Sequence, residues 1–454
     1  MSAPNHIGWV GIVRLGLVQA ALGAVVVLTT STLNRVMVVE LALPALLPGI
    51  LVALHYLVQV VRPRMGFGSD VGGRRTPWIV GGVGVLAVGG VGAAMATALM
   101  ASRPALGMGL ALLAFMLIGV GVSAAGTSLL TLLAKRVEPS RRAAAATIVW
   151  LMMIAGFAIT AGIAGKLLDP YTPERLVQVT AGVSALAFCI TLLALFGLEG
   201  RSQKMQADAD ADAPPKPAFR QALAQVWSEP AARQFTIFVF VSMLAYSSQD
   251  LILEPFAGEV FGFTPGQSTS LSGVQHGGVL AGMLLMAFMG TVFSGRLLGS
   301  LRLWAVGGCV ASAIGLAGLA MAGLVGPAWP FKSNVFLLGV ANGAFSIAAI
   351  GSMMRLAGEG RASREGVRMG LWGAAQAIAF GLGGLLGTAA SDVARWLMGV
   401  PSLAYSAVFS LEALMFVVSA MLAARIGMPL ITAPGKYADQ RSGLVPNMNS
   451  GALP

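Results

Sequence analysis

Gly66-Phe67-Gly68-Ser69-Asp70-Val71-Gly72-Gly73-Arg74-Arg75 stands between two long apolar runs. Its glycines permit a tight turn, and Asp70 can face a helix N-terminus and pair with a basic residue. Arg74 and Arg75 hold such a loop on the cytoplasmic side of a membrane. A weaker copy follows at Gly290-Thr291-Val292-Phe293-Ser294-Gly295-Arg296, which keeps Gly and Arg but lacks the acid. A degenerate second copy suits an internally repeated membrane fold. The competing reading, an incidental charged hairpin, leaves the repeat unexplained.

Outward from these loops, the 454 residues are 56% hydrophobic and 10% charged, whereas soluble domains are about a quarter charged. Mean hydropathy is +0.81. With roughly 20 apolar residues per crossing, the pattern predicts spans at about 12–33, 37–61, 77–101, 106–134, 143–165, 176–198, 234–254, 270–292, 303–325, 333–354, 367–389 and 402–424. The expected fold class is therefore an all-α polytopic membrane protein of twelve transmembrane helices in two six-helix halves. Of the 29 Lys and Arg, only Arg35, Arg103, Lys166, Arg175, Lys332 and Arg395 fall at the ends opposite the N-terminal side. The positive-inside rule then puts both termini in the cytoplasm. The net charge of +11 serves orientation and anionic headgroups, and no nucleic-acid partner is expected.

Residues 1–198 form the first half in this reading, 199–233 a cytoplasmic linker, 234–425 the second half and 426–454 a disordered tail. The linker holds the Asp-Ala run 207–213 followed by Pro214 and Pro215. Phe219, Leu223, Val226 and Trp227 then recur at helical spacing, which predicts a short amphipathic helix at the interface or a plain loop helix. Cys189 and Cys309 are solitary and read as packing residues. The first apolar run lacks a basic n-region and a convincing cleavage site, so it reads as a retained helix. Gly383 with Gly387 and Gly119 with Ser123 have the small-residue spacing that lets helices approach closely.

The 66–75 spacing resembles the loop signature of the major facilitator superfamily, whose two six-helix halves the span count also matches. Within it, three stretches resemble the PucC / LhaA family of phototrophic bacteria, the bacteriochlorophyll-delivery branch. They are Leu33-Asn34-Arg35-Val36-Met37-Val38-Val39-Glu40-Leu41, then Gln249-Asp250-Leu251-Ile252-Leu253-Glu254-Pro255-Phe256 with Gly258-Glu259-Val260, and Gly370-Leu371-Trp372-Gly373-Ala374-Ala375-Gln376. The likeness runs over most of residues 10–425. The short Gly-Gly-Arg-Arg loop is more similar to members encoded among bacteriochlorophyll-synthesis genes, some of which bear the name bacteriochlorophyll synthase chain. The resemblance implies pigment supply or light-harvesting assembly in the inner or intracytoplasmic photosynthetic membrane. It also implies light-harvesting or reaction-centre subunits and pigment-synthesis enzymes as partners, and bacteriochlorophyll or a precursor as the bound group.

The residues constrain which role is chemically sensible. Prenyl transfer needs a diphosphate held by Mg²⁺ on clustered Asp, and the cluster present, Asp208, Asp210 and Asp212, lies in a flexible Ala-Pro run. A non-catalytic role is expected. Ion-coupled transport needs ionisable groups near the midplane. Glu412 alone reads as mid-span, and a packing carboxyl explains it equally well. Glu40, Asp250 and Glu254 are expected at the periplasmic rim, where Arg35 and Glu40 could pair. A chlorin carries Mg²⁺ with an open axial position that neutral imidazole suits. His55 and His276 lie in corresponding helices of the two halves, 11 and 14 residues before Gly66 and Gly290, about one turn apart. They are the candidate pigment ligands, with ordinary interhelical hydrogen bonding as the competing reading. Gly66, Asp70, Gly73, Arg74 and Arg75 are the candidate gate between the halves. A transporter of a hydrophobic or amphipathic small molecule, or a scaffold for synthesis or assembly complexes, are the alternative functions.

Overall fold

The computed structural model describes residues 7–59, 75–138, 141–198, 227–293, 295–359 and 365–426. Residues 199–226 of the expected linker with most of its amphipathic helix, residues 427–454 of the expected tail and the loop residues Gly66, Asp70, Gly73 and Arg74 lie outside the described residues, while a helix already begins at Pro230, inside the expected linker 199–233. Arg75 is described, at the N-terminal boundary of a helix.

The described chain is helical almost throughout. In order it forms α1 (Trp9–Glu40), α2 (Leu46–Val58), α3 (Thr76–Met100), α4 (Pro104–Arg136), α5 (Arg142–Leu167) and α6 (Pro173–Leu195). There follow α7 (Pro230–Phe261), α8 (Pro265–Val292), α9 (Leu301–Val325), α10 (Phe331–Glu359), α11 (Glu365–Met398) and α12 (Pro401–Arg425). Among the described residues, eleven of these helices are long and apolar enough to cross a membrane, and α2 is shorter. The protein is a multi-pass membrane protein. Local chemistry sets many boundaries: Pro opens α4, α6, α7, α8 and α12, where its missing N–H has no intrahelical partner to lose. Thr264 and Gln267 close a reciprocal capping box at the start of α8.

Two boundaries correct the sequence reading. The expected spans 12–33 and 37–61 do not meet near residue 35. Instead α1 runs on to Glu40 through π-helical turns at Leu28–Thr32 and Val36–Glu40. Nothing in Asn34-Arg35-Val36-Met37 breaks a helix, and the chain turns only beyond Leu41, where Ala42 takes φ 50° ahead of Pro44. Arg35 is therefore inside a helix and buried. Likewise α7 extends seven residues past the expected end at 254, to Phe261, where Gly262 with φ 68° closes it. Asp250 and Glu254, expected at the rim, lie well inside this helix.

Most buried apolar side chains fall into two large clusters, with a small third one of Val27, Leu28, Ala161 and Ala164. One is built from residues 7–195 together with Leu251, the other from 232–426 together with Ile154. Large apolar groups such as Leu193 and Ile314 point outward, as a hydrocarbon solvent allows. Between the clusters, α5 packs on α8 and α2 on α11. Small residues set these distances. A Cβ at Gly387 on α11 would meet the Ser248 carbonyl of α7 at 2.8 Å, so Gly387→Leu forces the helices apart. A cost of about 1–3 kcal/mol is expected, read as a lower thermal unfolding midpoint in detergent.

The two groups of helices are tied along one face. Asp392 of α11 accepts from the amides of Ala45 and Leu46 at 2.9 and 2.7 Å, capping the start of α2. Arg35 donates to the Phe263 carbonyl at 2.6 Å and pairs with Glu40. Thr32 and Thr269 hydroxyls lie 3.0 Å apart, and Thr264 donates to Asp169 at 2.7 Å. Beside this cluster, burial and then the charge of Glu40 push the Tyr171 phenol up to about 12, so it stays neutral at physiological pH.

Candidate functional site

Below the closed face, the two groups of helices enclose a cavity of about 370 Å³. It runs from the level of Thr30, Asp250 and His276 to that of Leu130, Met353 and Gly373. Its wall is mostly apolar and aromatic, with Tyr56, Trp150, Phe157, Tyr246 and Phe380 among the lining residues. Phe380 bridges the groups, its ring 5.7 Å from Tyr56 and 5.9 Å from Tyr246.

Both candidate histidines line this one cavity, from opposite groups of helices. Their surroundings differ. His276 on α8 has Nδ1 2.9 Å from the Ser272 carbonyl oxygen. A carbonyl only accepts, so the neutral ring carries its proton on Nδ1 and keeps Nε2 as the basic nitrogen. Phe157 meets the same ring edge-on at 5.0 Å. His55 on α2 has Nε2 3.0 Å from Gln59 Nε2, one turn on, and its ring sits 4.9 Å from Tyr56. The amide N–H of Gln59 therefore occupies the lone pair that a metal-centred ligand would need. Of the two, His276 is the better placed donor.

The acids separate into three environments. Asp250 lines the cavity together with His276 and accepts from Gln275 Nε2 at 3.2 Å. Glu254 is buried between α7 and α1, accepting from Ser31. Only Glu40 lies near the expected rim, half-buried against Arg35. Glu412 is fully buried inside the second group and does not line the cavity. The tryptophans also divide: Trp150 lines the cavity, Trp372 packs on Phe235 at 5.0 Å, and Trp396 is exposed on the outside. Sequence reasoning missed Tyr246, Phe157, Phe380 and Gln376 as cavity residues. Gln376 closes one of the quoted stretches, while aromatic residues in apolar spans carry no signal of which way they face. Among the described residues no group of three His, Cys, Asp or Glu is arranged to hold a metal ion.

Solved structures with this arrangement include the nucleoside transporter NupG, at a TM-score of 0.67 and 13% identity, covering 92% of this chain and 100% of that one. A bacterial homologue of the lysosomal transporter Spinster, in an inward-facing unoccupied conformation, gives a TM-score of 0.62 at 15% identity, with 92% and 95% covered. At such identities they show the fold alone. Closer relatives include the "Bacteriochlorophyll synthase 44.5 kDa chain" of Rhodobacter capsulatus, 53% identical over 417 residues, which are 92% of this chain and 95% of that protein. Protein PucC of Cereibacter sphaeroides is 33% identical over 427 residues, with 88% of each covered. The family model described as PUCC protein matches residues 32–429, and with these relatives it shows that the chain belongs to the PUCC protein family.

Proposed function

We propose that the protein holds or delivers bacteriochlorophyll, or a precursor, during synthesis of the pigment or assembly of photosynthetic complexes, without itself performing chemistry. The observation that carries this reading is His276: an imidazole whose Nδ1 is held by the Ser272 carbonyl, with Nε2 left for a ligand, on the wall of an aromatic cavity between two groups of helices. The name of the 53% identical relative points to the same pigment. In this reading α2 belongs to the twelfth crossing of two six-helix halves. The closed face is periplasmic, the termini are cytoplasmic, and the membrane is the bacterial inner or intracytoplasmic one. Light-harvesting or reaction-centre subunits and synthesis enzymes are the partners that receive or supply the pigment.

Size matters here. Small-molecule sites run roughly 300–1,000 Å³, and 370 Å³ accepts part of a chlorin rather than the whole molecule with its isoprenoid tail. Occupancy therefore requires the halves to part on the linker side, away from the closed face. The test is the near-infrared absorption spectrum of the protein purified in mild detergent from a phototrophic host. About one pigment per chain is expected; a folded, colourless protein would rule out a stable carrier.

A second reading is carriage of an amphipathic molecule coupled to ion movement. It gains from Asp250, which the structure puts on the cavity wall beside Gln275 and His276. Asp250→Asn is the discriminating variant. Loss of uphill uptake in vesicles with pigment content unchanged would favour transport, and retention would favour a passive carrier.

A further inference from the structure

A second polar site lies inside the C-terminal group of helices, apart from the cavity. Gln249 on α7, Asn342 on α10 and Glu412 on α12 are each at most 2% exposed. Both polar atoms of the Gln249 amide, both carboxyl oxygens of Glu412 and the amide nitrogen of Asn342 have no hydrogen-bond partner among the described residues. Ser312 on α9 donates to Asn342 Oδ1 at 2.8 Å.

Ring contacts relate the depths of these groups along the helices. Phe256 of α7 touches Phe331 at the start of α10 and Tyr405 and Phe409 near the start of α12, at 5.5, 5.3 and 5.0 Å. Further along, Phe345 of α10 meets Phe416 of α12 at 5.7 Å. The two helices thus run in the same direction, and Asn342 and Glu412 each stand about one turn before that contact. Gln249 stands two turns, about 10 Å, from Phe256 on the same face of α7. Because α7 runs antiparallel to α12, that brings Gln249 to the level between Glu412 and Phe416.

Such a set cannot stay dry and ionised. An unpaired carboxylate in this setting is strongly disfavoured by the loss of its hydration, and each orphaned amide adds to the cost. Several charged side chains on the surrounding helices are engaged elsewhere: Asp250 with Gln275, Glu254 with Ser31, Glu259 with Arg395, and Arg302 with the Ala424 carbonyl. Lys332 lies over the Phe263 ring at 5.7 Å. A bare cation would satisfy the oxygens but leave the amide N–H groups of Gln249 and Asn342 orphaned. Water satisfies donors and acceptors together, and a proton removes the charge.

We propose that Gln249, Asn342, Ser312 and Glu412 enclose a hydrated proton-binding site within the C-terminal helices, with the proton on the Glu412 carboxyl. It is independent of what the central cavity carries.

Infrared difference spectroscopy of the full-length protein in nanodiscs tests this. At neutral pH, wild type minus Glu412→Gln should show one carboxylic-acid C=O band that shifts in D₂O. Asn342→Leu and Gln249→Leu should each move that band in frequency without removing it, which reads the site even if Glu412→Gln fails to fold. Ionised carboxylate bands in its place would overturn the proposal. So would a melting temperature that rises with sodium or potassium but not with N-methylglucamine at equal ionic strength.

Discussion

Replacing His276 with Ala is expected to lower the pigment retained by the purified protein about tenfold or more, the scale on which losing even an outer-shell metal partner acts. His55→Ala should do less, because Gln59 already occupies the His55 Nε2 lone pair at 3.0 Å. The ring of His276 is fixed by the Ser272 carbonyl, so its removal leaves a space rather than a rearranged ligand. Added imidazole should therefore restore pigment to His276→Ala and not to a variant whose aromatic wall is destroyed, such as Phe380→Ala combined with Tyr246→Ala. The measurement is the near-infrared absorbance per protein at matched detergent and lipid. Equal pigment in wild type and the His55→Ala/His276→Ala double variant would remove both residues as ligands and move the binding to the aromatic wall.

Arg35→Ala combined with Asp392→Ala is expected to unlatch the closed face. Arg35 reaches the Phe263 carbonyl and Glu40, and Asp392 caps α2 from α11. Each is a charge-assisted tie between the two groups of helices, worth about 1.5–3 kcal/mol. At 1.4 kcal/mol per tenfold, each lost tie shifts the closed-to-open ratio by about ten- to hundredfold. A cysteine introduced at Ser31, with Cys189 and Cys309 replaced, reports the change through its rate of labelling by a membrane-impermeant thiol reagent. Labelling should accelerate at least tenfold in the double variant when the reagent is applied to the closed face. An unchanged rate in a folded protein would mean that close packing, such as Gly165 of α5 against Gly266 at the start of α8, holds the face shut without these charges.

The membrane class, the approximate place of most helices and the family were legible in the chain itself. Apolar run length, the placement of Lys and Arg and a few contiguous stretches are local properties, and each survives without knowing what any helix touches. Hydropathy averages over a window of about 19 residues, so it trims the polar ends of long helices. That is why hydropathy puts Arg35, Asp250 and Glu254 at a rim although they lie inside α1 and α7. Pairing His55 with His276 through the repeat identified two residues of one cavity, yet their inequality depends on Gln59 and Ser272, and so on ring orientation. The rotation of each helix about its axis is set by its neighbours rather than by its own composition. Tertiary structure alone therefore decided that Asp250 lines the cavity, that Glu412 is buried within one helical group away from it, and that Asp392 reaches across to α2.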